Sequence, residues 1–180
     1  MAKTFITGTG RSGTTFLMIL YTHLGLDTGF TESNYQNAIY PECNSGMEKS
    51  YDYQPQIIKN PKIIHQIPEI INSGTDIRLI IIPIRDYEKS AHSRVRMGCH
   101  PGGLWNAADQ EEQVSYYHKI MAEYLVYMVD YNIPTIFVSF EQMISSPEYL
   151  YNKLKPSLQD ISYDKFLEAY NKATEHQTKK

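Results

Sequence analysis

Near the amino terminus the run Gly8-Thr9-Gly10-Arg11-Ser12-Gly13-Thr14-Thr15 sets glycines, an arginine and hydroxyl residues at the spacing G-x-x-x-x-G. Where such a turn leads from a strand into a helix, its backbone N–H groups and the positive end of the helix form an anion site. The run therefore predicts a loop that cradles a phosphate-like group through Gly10, Ser12, Gly13, Thr14 and Thr15, with Arg11 adding charge. Thr14 stands where nucleotide triphosphatases carry lysine, and no metal-holding aspartate follows an apolar strand, so Mg-nucleotide chemistry lacks its usual electrostatic parts. Gly8, Gly10 and Gly13 also satisfy G-x-G-x-x-G. The carboxylate that a dinucleotide fold needs about 20 residues later would have to come from a stretch without a strand.

Two further cations fall at predicted strand ends. Arg85 closes the apolar run Ile77–Ile84, and Ser93 follows it by eight residues on the next helix. An arginine there and a hydroxyl two turns up the helix converge on one anion if the helix passes alongside. Lys59 closes the short apolar run Gln56-Ile57-Ile58 and is the natural second cation for the glycine loop. Arg94 and Arg96 are placed to add field. Candidates for a base are His23, His65, His92 and His100. None of them is paired with a carboxylate in sequence.

The elements that must position these residues follow from periodicity. Phe5-Ile6-Thr7 reads as a strand, and Phe16, Leu17, Leu20 and Leu24 recur at helical intervals after the loop. Residues 27–54 carry no sustained period and form a long irregular connection. Residues 62–73 place Ile63, Ile67, Ile70 and Ile71 on one helical face, with Pro68 expected in a first turn or at a kink. The run 77–84, apolar except for Arg78 and Pro83 and without alternation, predicts a parallel strand buried on both faces, with Pro83 at its last position because it cannot donate to the ladder. Helices are predicted over 86–95, 111–131, 147–154 and 163–173, a strand over 134–140, a flexible insertion near 97–110, and a frayed end at 176–180. Strand and helix alternate, which predicts a single α/β domain over 1–180 with a mostly parallel central sheet covered on both faces.

The 180 residues allow one core that buries roughly 70% of the unfolded surface. Seventeen Lys and Arg against twenty Asp and Glu give a net charge of −3 with no long run of like charges, which argues against a nucleic-acid partner. The apolar stretch 16–26 is too short and polar to span a bilayer, and no signal segment is legible, so a cytoplasmic chain without membrane contact is expected. Two cysteines, Cys43 and Cys99, mark neither a disulfide framework nor a thiolate metal site, and free thiols are expected. Composition says nothing about oligomeric state.

Four segments taken in order carry a resemblance. Thr7 to Leu17, then Ile58-Lys59-Asn60-Pro61-Lys62, then Ile82-Pro83-Ile84-Arg85-Asp86-Tyr87 with Ser93, then Val138-Ser139-Phe140-Glu141-Gln142-Met143 resemble the sulfotransferases that use 3'-phosphoadenosine 5'-phosphosulfate (PAPS). The Lys-x-Pro pattern is closer to the tyrosylprotein, carbohydrate and bacterial branches than to the cytosolic small-molecule branch, whose glycine-rich C-terminal segment this chain lacks. The resemblance implies a three-layer α/β fold and a P-loop-like 5'-phosphosulfate loop built on Gly10 to Thr15. It places the 3'-phosphate at Arg85 and Ser93, and it gives catalytic charge to Arg11 and Lys59. Glu32, 19 residues beyond Gly13, falls where the tyrosylprotein branch has its catalytic glutamate; His100 or solvent is the other candidate base.

The expected reaction is in-line transfer of a sulfuryl group from PAPS to a hydroxyl, less readily an amine, leaving 3'-phosphoadenosine 5'-phosphate (PAP) and needing no metal. The acceptor is a small molecule, a carbohydrate or a tyrosyl group, and Trp105 with the Tyr-rich and Asn-rich segments 27–54 and 97–110 suits an aromatic-walled cleft. An atypical P-loop phosphotransferase and a non-catalytic phosphonucleotide-binding protein are the alternatives.

Overall fold

A computed structural model describes residues 2–98 and 102–178. Its elements in chain order are β1 (Lys3–Ile6), α1 (Thr14–His23), a 3₁₀ turn (Tyr35–Ala38), β2 (Ile39–Tyr40), β3 (Ser45–Gly46), β4 (Ile57–Lys59), α2 (Ile63–Asn72), β5 (Ile77–Ile84), α3 (Tyr87–Met97), α4 (Gln110–Asp130), β6 (Thr135–Ser139), α5 (Phe140–Ser145), α6 (Pro147–Leu158) and α7 (Tyr163–Thr178). The central sheet has the order β4-β1-β5-β6, and every pairing in it is parallel. β2 and β3 form a separate two-residue antiparallel ladder inside the long connection.

Alternation along the strands divides the core in two. Ile6, Leu79, Ile81 and Val138 pack with α1, α5, α6 and α7 on one face, whereas Phe5, Ile58, Ile80 and Ile82 pack with α2, α3 and α4 on the other. This two-sided burial is why β5 is apolar apart from Arg78, which is exposed near its start. The polar ends of the same strands consequently have one place left to go, the carboxyl edge of the sheet. Among the described residues no helix is long and apolar enough to cross a membrane.

Several details differ from the sequence-based expectation, among them α6 and α7, which run to Leu158 and Thr178 rather than 154 and 173. Pro83 is the penultimate residue of β5, opposite Val138. Its nitrogen faces the side of β1, whose pairing with β5 ends at Ile81, so the missing donor costs no ladder bond. Pro68 is the sixth residue of α2, not in a first turn, and the helix runs through it. The expected strand end at Phe140 instead opens α5, because Ser139 caps that helix by accepting from the Gln142 N–H at 3.4 Å.

Ile81 is fully buried at the centre of the sheet. Ile81→Ala should cost about 2–5 kcal/mol, read as a lower denaturant midpoint at unchanged slope. A loss well below 1 kcal/mol would contradict close packing of the sheet at this position.

Candidate functional site

The carboxyl ends of β1, β4, β5 and β6 open onto one cleft of about 380 Å³, within the size range of small-molecule sites. The glycine loop supplies its floor. Gly10 has φ +75°, and a Cβ there would run into Arg94 Nη2. Gly13, the N-cap of α1, has φ +92°, and a Cβ there would strike Met143. Both positions favour glycine through their positive φ, and any other residue would also displace the end of the Arg94 or Met143 side chain. Arg11 between them is left-handed at φ 54° although it is not a glycine, a strained conformation that persists only when its surroundings hold it.

Those surroundings are specific. Arg11 Nε donates to Ser93 Oγ at 3.1 Å, its Nη1 donates to the Cys43 carbonyl, and its own carbonyl accepts from Arg85 Nη1 at 3.0 Å. Burial lowers the Arg11 pKa from its ordinary value, and the nearby Arg94 and Arg85 charges lower it further. Arg85 stacks over the Phe140 ring at 4.7 Å, and its buried Nε has no hydrogen-bond partner among the described residues. Arg94, on α3, donates to the Thr9 carbonyl at 3.2 Å and to Tyr117 Oη at 2.6 Å. Burial is the main reason that the Tyr117 pKa is raised.

Lys59 is 1% exposed. Its ammonium donates to Thr15 Oγ1 at 3.1 Å, to the Gly46 carbonyl at 2.7 Å and to Glu48. Burial lowers its pKa, and the Glu48 carboxylate opposes that shift. The backbone brings the pair together, because Glu48 forms an isolated parallel bridge with Lys59 just beyond the edge of β4.

Among the described residues, five cations line the cleft (Arg11, Lys59, Lys62, Arg85 and Arg94) against one carboxylate, Glu48. Only Lys59 has that carboxylate as a partner; Arg11, Arg85 and Arg94 are hydrogen-bonded to neutral oxygens. Such a surplus beside the N-terminus of α1 suits an anionic ligand. Among the described residues no three His, Cys, Asp or Glu side chains gather as a metal site.

Of the residues singled out from sequence, Gly10, Arg11, Gly13, Thr14, Thr15, Lys59 and Arg85 line this cleft. Ser93 reaches it through Arg11. Ser12 lies fully buried with its Oγ unpartnered among the described residues. Glu32 is not brought to the cleft: its side chain is 54% exposed, with His23 Nδ1 at 3.4 Å and Lys172 at 3.7 Å. The neighbouring His23 is the main reason that the Glu32 pKa is lowered. His65 meets Tyr116 Oη at 3.0 Å, and burial lowers its pKa; His92 is exposed on α3. His100 and Cys99 lie outside the described residues, and Cys43 is a free, buried thiol at the cleft. Sequence reasoning passed over Glu48, and it gave Phe140 no role in the site.

No protein-family model matches the chain, and no curated protein matches it in sequence.

The uncompensated cations lead to a direct expectation. Inorganic sulfate at about ten times its dissociation constant should stabilise the fold by about 1.4 kcal/mol, visible as a melting-temperature rise beyond that from chloride at equal ionic strength. In Arg85→Met most of the sulfate-specific rise should be lost. Equal shifts for sulfate and chloride in the parent would rule out a divalent-anion site here.

Proposed function

We propose that the chain is a sulfotransferase that moves a sulfuryl group from PAPS to a hydroxyl acceptor and releases PAP. The observation that carries this reading is the meeting, in one cleft, of the glycine loop, Lys59 and Arg85 from three separate strand ends, with a cation surplus that only a polyanion would balance. The surplus falls into two groups. Lys59 sits with Thr15 at the start of α1, and Arg85 sits with Arg11 and Ser93. A donor with a 5'-phosphosulfate and a separate 3'-phosphate has the matching charge distribution.

In this reaction the acceptor oxygen attacks sulfur, the bond between sulfur and the bridging oxygen breaks, and that oxygen leaves with the 5'-phosphate. The activated anhydride is already in the donor, so the protein supplies positioning and charge. Arg11, Lys59 and the loop N–H groups face the developing charge. Burial makes the Lys59 ammonium a more acidic donor to the leaving oxygen. Glu48 is the base that we assign, since it is the carboxylate at the cleft and already touches Lys59. An incoming anion competes with Glu48 for that ammonium, which frees the carboxylate oxygens to accept the acceptor's proton.

Calorimetry with PAP and with 5'-AMP tests the donor reading. Charge-assisted hydrogen bonds contribute about 1.5–3 kcal/mol each, so PAP should bind more than about tenfold more tightly. Equal affinities would remove the 3'-phosphate site from Arg85 and Ser93.

The base assignment has its own measurement. Glu48→Gln should keep or tighten PAP binding, because it removes a competitor for Lys59, and should lower kcat by about 10² to 10⁴. If the loss falls on Glu32→Gln instead, the base returns to the position that the family resemblance gives it.

A further inference from the structure

Arg94 joins the glycine loop to the aromatic side of the cleft. It is 7% exposed on α3, and its partners come from three separate segments. Nη2 donates to the Thr9 carbonyl in the glycine loop at 3.2 Å, Nη1 to the Gly103 carbonyl at 2.5 Å, and Nε to Tyr117 Oη on α4 at 2.6 Å. The same guanidinium lies 5.5 Å from the centroid of the Trp105 ring and 6.0 Å from that of Tyr117. It also fills the space beside Gly10 that a Cβ would need. One planar group thus touches both the loop expected to hold the donor and the aromatic wall at the other side of the cleft.

Trp105 has little freedom apart from this contact. Its backbone N–H donates to Gln113 Oε1 at 2.6 Å, and its ring meets His65 and Tyr116 edge-on at 5.3 Å and 5.4 Å. His65 and Asn106 in turn hold Tyr116 Oη at 3.0 Å and 2.8 Å. Trp105 nevertheless lines the cleft. A shift of the glycine loop therefore reaches it through Arg94, whose planar fork moves as one body.

We propose that Arg94 is a positioning residue that couples the glycine loop to Trp105, so that seating the donor's anion sets the aromatic wall that the acceptor meets. The inference rests on the donor reading above. Its consequence is an order of events in which the acceptor side is completed after the donor binds.

Trp105 is the single tryptophan of the chain, so its emission reports one place. Titration of the full chain with PAP, followed in parallel by calorimetry and by tryptophan emission, is expected to give an emission change that saturates with the dissociation constant read from the heat. Arg94→Lys keeps the charge and loses the fork; it should bind PAP within about tenfold of the parent and lose the emission change. If that variant does not fold, Tyr117→Phe removes the Nε acceptor while keeping the ring, and the same loss is expected. Heat without an emission change in the parent would overturn the coupling and leave the donor reading standing. An emission change that persists undiminished in the variants would do the same, since it would mean that the nucleotide touches Trp105 directly. Absence of both heat and emission change would overturn the donor reading and this inference with it.

Discussion

Positive charge without a counter-charge is the constraint around which the carboxyl edge of this sheet is arranged. The guanidinium groups of Arg11, Arg85 and Arg94 are half-buried or buried and gather there, with neutral oxygens as their hydrogen-bond partners. Like charges at close range repel, and removing each from water adds to the cost. Side-chain contacts alone would relieve that strain by moving apart. They cannot do so here because each arginine is tied to backbone that the sheet holds: Thr9 and Arg11 follow β1, Arg85 follows β5, and α3 carries Arg94 back toward the loop. The four parallel strands, packed on both faces, are what oppose the repulsion.

The same packing made much of the fold legible from sequence. The part of a strand buried on both sides must be apolar, and Ile77–Ile84, interrupted only by the exposed Arg78, was found to its observed bounds for that reason. The glycine loop and α1 were legible because glycine spacing and helical periodicity meet at one point. β2, β3 and α5 were not. β2 and β3 have two residues each, too few for any period, and α5 has six residues, starting directly from a strand whose last residue is its cap. Pro68 breaks a rule of local preference that the tertiary environment overrides, since Ile63, Ile64, Ile67 and Ile70 of α2 are all buried against the sheet.

The site divides along a similar line. Arg11, Lys59 and Arg85 were identifiable because each ends or follows a strand, and strand ends converge whatever the intervening loops do. Glu48 carried no such mark. A lysine in an apolar strand implies a carboxylate partner, yet the connection before β4 contains Asp27, Glu32, Glu42, Glu48 and Asp52, and sequence alone does not choose among them. The family resemblance, by its spacing from the loop, led to Glu32. The chain there is still passing α1 and α7, where His23 and Lys172 engage the carboxylate. Sixteen residues later the antiparallel turn of β2 and β3 has brought Glu48 to the far end of β4. Spacing along a sequence locates a residue only while the path is regular, and segment 27–54 is not.

That irregular segment also explains how the site tolerates its charge. Its contacts with the cleft are made by oxygens: the Cys43 carbonyl accepts from Arg11, and the Gly46 carbonyl and Glu48 carboxylate accept from Lys59. The segment thus occupies, with its own partial and full negative charges, cations that an anionic ligand would need. Gly46 is essential to this arrangement, since at φ +133° a Cβ would overlap the Ala38 carbonyl oxygen. On the proposed reading, donor binding is an exchange in which sulfonate or phosphate oxygens replace these internal acceptors. The net gain is then smaller than the number of new contacts suggests, because each contact replaces one already made. What the exchange adds is selectivity. A weak or monovalent anion cannot displace both a carboxylate and a carbonyl from a lysine that is 1% exposed, whereas a ligand anchored at Arg11 and Arg85 as well has the additional interactions to do so.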